Sequence, residues 1–279
     1  MRQFSRRTAM LAVPFLLGFL LFYVLPFGQV IFYSLTKSAM DPQFVGLRNF
    51  EDALNNRYFR LAAINTLKFT AGSVPLVVIC AFLISLMLFY GMRASSSALH
   101  SAFILPMLLP SAAVVSVIRL YFSEEASPVR MWLERLGMEP GGIALTSVYF
   151  IFLWKNAGFQ IILDLAALRS VPKDIQEAAA LDGANCFQRF WKIVLPFVRP
   201  TILFGAVYAG AQALRIFRET YLLYGDYPKE SVYFLQHYMN NHFYKLNYQK
   251  ISAAALILMS AILLIAVLIR LLVGRRWKA

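Results

Sequence analysis

The chain has 279 residues, 59% hydrophobic and only 15% charged, with a formal net charge of +13 at pH 7. Soluble domains carry about 25% charged residues, so a water-soluble fold of this length would lack the polar surface to cover its core. The basic excess does not point to nucleic acid either, because no basic-aromatic module stands outside the apolar runs.

In chain order, Met1 to Arg7 precede a first apolar run, and Ser5-Arg6-Arg7 resembles a twin-arginine export signal. The run from Met10 to Tyr33 exceeds a signal-peptide apolar region and has no small-residue cleavage site, so it reads as a retained helix. A bilayer core takes about 20 apolar residues of helix, since backbone groups in lipid must pair within the segment. Six stretches satisfy that length: Met10 to Tyr33, Leu61 to Tyr90, Leu99 to Phe122, Ile143 to Leu168, Pro200 to Leu223 and Ile251 to Ile269. The expectation is an all-α polytopic membrane protein of six transmembrane helices, one domain over residues 1–279. Prolines 14, 26, 75, 106 and 110 fall inside these spans, as kinks around a cavity or as plain packing kinks.

Orientation follows from the placement of Lys and Arg, which favour the cytoplasmic side of short loops. The two termini with loops 91–98 and 169–199 hold thirteen basic residues against three acids. The remaining loops hold nine of each. Both termini and the 169–199 loop therefore read as cytoplasmic. Cys80 in an apolar run and Cys186 in a polar loop lie on opposite sides of the lipid boundary and imply no disulfide.

No Gly-rich run ending in Gly-Lys-Ser/Thr occurs, so any ATP would be handled by a partner. No metal-ligand spacing and no nucleophile-base constellation appears, and the chain does not read as an enzyme. His100, His237 and His242 read as boundary residues.

An ionisable side chain at mid-span costs roughly 2.5–3.5 kcal/mol on insertion scales, so such groups face protein or a wet cavity. The fourth stretch carries Lys155, Asn156, Gln160 and Asp164, the last three on one face at spacings of four. The fifth carries Gln212, Arg215, Arg218 and Glu219, interleaved with Tyr208, Phe217 and Tyr221. The competing assignment is internal pairing, Asp164 with a lysine or Arg215 with Glu219 at a spacing of four.

The loop from Arg169 to Arg199 contains more than a connector requires. Asp174 and Glu177 have capping-box spacing, Ala178, Ala179 and Ala180 favour helix, and Gly183 can end it in a left-handed turn. A second short helix is expected from Phe187 to Val194, ending at Leu195-Pro196, with Phe187, Phe190, Trp191 and Val194 on one apolar face. Such a pair suits docking into a groove of a soluble partner and equally suits an interfacial helix lying on lipid headgroups. Asp182 stands at a helix C-terminus, which disfavours an anion and suggests an external cation opposite it.

Glu177-Ala178-Ala179, then Gly183, then Ile193-Val194-Leu195-Pro196 match the EAA motif of ABC importer permeases, and the chain resembles that family over nearly its whole length. The likeness is greatest to the carbohydrate-type permeases of maltose and glycerol-phosphate transporters, through Phe44 to Phe50, Asn65-Thr66-Leu67, Ala166-Ala167-Leu168 with Val171-Pro172, and Arg215 to Glu219. It departs after Tyr224, where Gly225-Asp226-Tyr227-Pro228 replaces the family's Gly-rich stretch. The resemblance implies a type I importer permease fold in a bacterial plasma (inner) membrane, alternating access, and half of a translocation pathway for a sugar or oligosaccharide.

It further implies a second permease, two ATP-binding subunits that carry ATP and Mg, and an extracytoplasmic solute-binding protein, with no cofactor on this chain. Glu177, Ala178, Ala179, Asp182, Gly183, Ile193, Leu195 and Pro196 then form the ATPase-coupling segment. Lys155, Asn156, Gln160, Tyr208, Gln212, Arg215, Arg218, Glu219 and Tyr221 line the pathway, offering the mixture of polar groups and apolar rings that sugars bind. Five basic residues against two acids within the spans keep an anionic sugar open beside a neutral one. An ion-gradient-driven secondary transporter is the alternative, disfavoured by the lack of an evident repeat.

Overall fold

A computed structural model describes residues 6–38, 40–91, 97–122 and 127–274. Among them every regular element is helical apart from one isolated bridge between Thr36 and Phe44. The basic residues Arg2, Arg93, Arg275, Arg276 and Lys278 used above for orientation lie outside the described residues.

The chain divides into two compact units, residues 1–60 with 238–279, and residues 61–237. In the first, α1 (Arg6–Phe19) continues through a π-helical turn (Leu20–Val24) into α2 (Leu25–Leu35). The short α3 (Arg48–Asn55) and the long α14 (Tyr248–Gly274) both pack on α2. A helix end leaves carbonyls without partners. Asn49 supplies them here, its amide donating to the carbonyls of Ser34 at 2.9 Å and Thr36 at 2.8 Å.

The second unit begins within α4 (Arg57–Gly91) and contains α5 (Ser97–Leu108), α6 (Ser111–Phe122), α7 (Pro128–Arg135) and α8 (Pro140–Arg169). After α8 come α9 (Lys173–Leu181), α10 (Cys186–Arg189), a π turn (Phe190–Val194), α11 (Leu195–Leu214), α12 (Arg218–Tyr224) and the start of α13 (Leu235–Tyr244). Helix α8 is the centre of this unit, packing against both α5 and α11. Val148 and Phe152 on α8 meet Phe69 and Val77 of α4 and Ala209 and Ala213 of α11 in one buried cluster.

Among the described residues, four helical stretches are long and apolar enough to cross a membrane: Val13–Leu35, Arg57–Gly91, Gly141–Arg169 and Cys186–Tyr224. The expected third span is not one continuous helix. It is broken between Ala102–Leu108 and Ser111–Phe122 with a bend of 99°. Pro110 explains the break, because its ring pushes Leu109 out of the helical region and removes an N–H from the ladder. The expected sixth span falls within α14, whose described part includes the apolar stretch Tyr248–Leu264.

The helix expected to stop at Leu195-Pro196 instead continues into α11. A proline ring clashes with the carbonyl four residues back. The π turn before it widens the helix, and Leu195 N–H bonds to Phe190 five residues back. The same device precedes Leu25-Pro26, where Leu25 N–H bonds to the carbonyl of Leu20.

Two glycines set how closely α8 is approached. A Cβ at Gly158 would overlap the backbone carbonyl of Phe103 on α5, and one at Gly205 on α11 would overlap the side-chain amide of Gln160. Small residues at such crossings let helix backbones pack directly in a membrane. A Gly158→Ala variant must push α5 away, because a helix carbonyl cannot rotate aside. Overpacking of this kind costs about 1–3 kcal/mol. Thermal unfolding of the purified variant in detergent is expected to begin at a lower temperature than for the native chain, and an unchanged transition would refute the close crossing.

Candidate functional site

The charged groups of α8 and α12 meet inside the second unit. Lys155 Nζ lies 2.6 Å from Glu219 Oε1 and donates to Ser111 Oγ at 2.8 Å. Ser111 Oγ in turn donates to Glu219 Oε1 at 2.9 Å. Ser111 is the first residue after the Pro110 break, and Glu219 lies in the first turn of α12 after the interruption at Arg215–Phe217. One ion pair with its hydroxyl thus ties the restarts of two broken helices to the middle of α8. Irregular backbone at membrane depth is tolerated only where it is buried in protein or lines a wet cavity.

Such a cavity is present, with a volume of about 550 Å³. Lys155, Asn156, Gln212, Arg215, Arg218 and Glu219 line it, all named from sequence. Its remaining walls include Phe217, also picked out in the fifth stretch, and Met107, Ser111 and Gln236, which the sequence did not mark. Ser111 could have been found from its place beside a proline break, whereas Gln236 comes from a helix with no pathway signal. Behind Phe217 stands the fully buried His237, its ring 5.1 Å away edge to face. Burial pushes His237 down to about 4, so it is neutral near pH 7 and packs as an aromatic ring.

Three expected pathway residues are not among the cavity's walls. Gln160 is buried and donates to Asp164 Oδ1 at 2.8 Å. Tyr208 packs on Phe159 with the rings tilted and 4.7 Å apart and accepts from Gln212 at 3.3 Å. Tyr221 packs on Phe217 at 5.2 Å. The two internal pairings considered from sequence are also absent. Asp164 is bound by Gln160 rather than by a lysine. Arg215 bonds to Gln212 Oε1 at 2.9 Å, not to Glu219, because the helix is interrupted between them.

The loop after α8 has a different character. Helix α9 buries no residue within the chain. Its start differs from the expected capping box: Pro172 is the N-cap, and Asp174 sits in the first turn without capping it. Pro172 lacks an N–H and holds an extended conformation, and the helix starts two residues earlier than the expected cap at Asp174. Asp174 there still complements the helix dipole. At the other end Gly183 is left-handed, with φ +82°, and its N–H and that of Ala184 close on the carbonyls of Ala180 and Ala179. The capping box of this loop belongs to α10, where Asn185 and Gln188 exchange bonds of 2.8 and 3.0 Å. The Asn-x-x-Gln spacing was its sequence signal.

Glu177, Ala178, Asp182 and Gly183 are exposed and Ala179 is half-buried. Ile193 and Leu195 instead pack with Phe190 against the buried cluster of Leu168, Val171, Val194 and Val198, while Pro196 is exposed at the start of α11. The apolar face expected on the second helix is therefore divided. Val194 is buried and Phe190 half-buried, whereas Phe187 and Trp191 point outward with their rings 5.9 Å apart. Leu181, at 90% exposure, and Ile175 extend this unpartnered apolar surface onto α9. Asp182 has no ion-pair partner among the described residues.

Helices broken around a polar, charge-lined cavity, with a capped helix standing free beside them, suit a membrane transport subunit. The family of binding-protein-dependent transport system inner membrane components matches residues 74–278. The chain belongs to that family. It is 31% identical over 231 residues to the arabinooligosaccharides transport system permease protein AraP of Bacillus subtilis, covering 79% of this chain and 74% of that one. It is 28% identical to the trehalose/maltose transport system permease protein MalF of Thermococcus litoralis, covering 95% and 92% of the two chains. The sn-glycerol-3-phosphate transport system permease protein UgpA of Pectobacterium atrosepticum is 29% identical, covering 70% and 68%. The fold matches a solved bacterial ABC transporter involved in the import of the acidic polysaccharide alginate, with a TM-score of 0.77 at 24% identity and coverage of 96% and 94%. The chain is accordingly a permease subunit of an ABC importer, and the ion-gradient alternative is not favoured.

Lys155 and Glu219 are 17% and 15% exposed at the cavity wall, so removing one strands the other at a cost below the roughly 3–5 kcal/mol of a fully buried pair, whereas removing both is milder still. Lys155→Met or Glu219→Gln alone is expected to lower thermal stability more than the double variant does. Melting curves of the three proteins in detergent measure this, and additive losses would show that the pair is not coupled.

Proposed function

We propose that this chain forms half of the translocation pathway of an importer for a sugar or oligosaccharide. The names of AraP and MalF, which refer to arabinooligosaccharides and trehalose/maltose, support the substrate class, while that of UgpA refers to a polyol phosphate, glycerol-3-phosphate. A cavity of about 550 Å³ joining amide, guanidinium and aromatic groups is of a size and character to hold saccharide units. Lys155, Asn156, Gln212, Arg215, Arg218 and Glu219 would face the passing solute. Gln160, Tyr208 and Tyr221 would support that wall from behind.

Residues 1–279 act as one permease domain in a bacterial inner membrane, with both termini and the 169–199 loop in the cytoplasm. A second permease completes the pathway, two ATP-binding subunits carry ATP and Mg, and a solute-binding protein delivers the cargo from outside. Helix α9 and the exposed Phe187 and Trp191 dock into the ATP-binding subunit, so that its closure moves the spans as bodies and alternates access. The observation that carries this reading is a helix with no residue buried in its own chain, held at a fixed angle by Gly183 in the left-handed region.

Leu181→Asp, which charges the apolar surface, and Gly183→Val, which strains the turn, are expected to reduce recovery of the ATP-binding subunit with the permease by about tenfold or more. Co-purification from membranes measures this, and native recovery with both variants would contradict the docking role. The exposed Cys186 reports the side of the loop. Without ATP-binding subunits it should react with a membrane-impermeant maleimide in inside-out vesicles and stay unmodified in intact cells.

A further inference from the structure

The cavity is not electrically balanced. Its walls carry Lys155, Arg215 and Arg218 against a single acid, Glu219. That acid is already engaged by Lys155 and Ser111, which leaves it unable to neutralise either arginine. Arg215 bonds only to neutral groups, Gln212 Oε1 at 2.9 Å and the Ala211 carbonyl at 3.4 Å. Arg218 has no hydrogen-bond or ion-pair partner among the described residues.

Two guanidinium groups thus project from the junction of α11 and α12 into one cavity, beside the apolar rings of Phe217 and Phe152 and the amides of Asn156, Gln212 and Gln236. Guanidinium presents a fixed fork of N–H donors that matches the paired oxygens of a carboxylate or phosphate. Cations lining a cavity with low-dielectric walls focus a field that draws an anion in. A neutral sugar would need hydroxyl partners, which the amides already provide, and would leave both charges uncompensated. From this geometry we infer that the transported saccharide is anionic, its acidic group held by Arg215 and Arg218 while the aromatic rings face the sugar ring. The inference rests on the sugar-import reading and narrows its substrate class.

The Lys155–Glu219 pair has a separate part in this arrangement. By cancelling its own charges it reserves the two arginines for the cargo and keeps an uncompensated acid from repelling it.

The test uses the complete importer, with its sister permease, ATP-binding subunits and binding protein, in proteoliposomes containing ATP. Four probes of similar size are offered: trigalacturonate, its methyl ester, maltotriose, and a phosphorylated maltotriose. Import of one or both acidic probes is expected to exceed that of the neutral pair by about tenfold or more, and Arg215→Gln or Arg218→Gln should remove about that factor. Trigalacturonate alone would identify a uronate and phosphorylated maltotriose alone a phosphate ester. Arg218→Lys keeps the charge but loses the fork, and should fall between native and Arg218→Gln. Faster import of a neutral probe, unchanged in both glutamine variants, would overturn the anionic assignment and leave sugar import standing. Loss of complex assembly in these variants, read by size-exclusion chromatography, would also overturn it, because the arginines would then be subunit contacts. If none of the four probes enters, the sugar reading itself falls and this inference falls with it.

Discussion

A bilayer interior has no water to satisfy a stray backbone amide or an unpaired charge, and this chain places both in the same region. Four of its charged mid-span side chains, Lys155, Arg215, Arg218 and Glu219, are gathered where helices break, at Leu109-Pro110 and at Arg215–Phe217. The coincidence has a physical basis. A broken helix exposes backbone polar groups that need a wet or polar surrounding, and that same surrounding lowers the cost of a buried charge. The Lys155–Glu219 pair with Ser111 fastens the two breaks to α8 and converts a weakness in two helices into a defined wall of the cavity.

Packing around this wall is set by small residues. Gly158 and Gly205 let α5 and α11 approach opposite parts of α8, and the second of these contacts covers the buried Gln160–Asp164 bond. The cavity's neighbours are therefore tightly joined, while the cavity itself is lined by polar groups and rings. Such a contrast suits a transport path that changes access by moving helices as bodies, since close-packed units shift between discrete arrangements rather than deform continuously.

Much of this was legible in the residues. Apolar runs of bilayer length marked the membrane helices, and Gly183 announced its left-handed turn. Lys155, Arg215, Arg218 and Glu219 stood out because charge is costly in lipid. What escaped was decided by geometry between elements. Hydropathy averages over Pro110 and so could not reveal a 99° bend. Spacing alone suggested Arg215 with Glu219, but an interruption of three residues between their helices gave Glu219 to Lys155 on another element. Pro196 reads as a helix stop until a preceding π turn makes room for its ring. Phe190 and Val194 share a helical face with Phe187 and Trp191, and only the cluster formed with Leu168 and Val198 divides them into inner and outer pairs.

Those outer aromatics, with Leu181 and Ile175, form an apolar surface that a helix resting on headgroups and a helix seated in a protein groove would both require. A photo-crosslinking residue at position 181, in the assembled importer in native membranes, separates the two. A docked helix gives a crosslink to the ATP-binding subunit whose yield changes when a non-hydrolysable ATP analogue closes that subunit. Crosslinks confined to lipid, with the nucleotide without effect, would contradict docking.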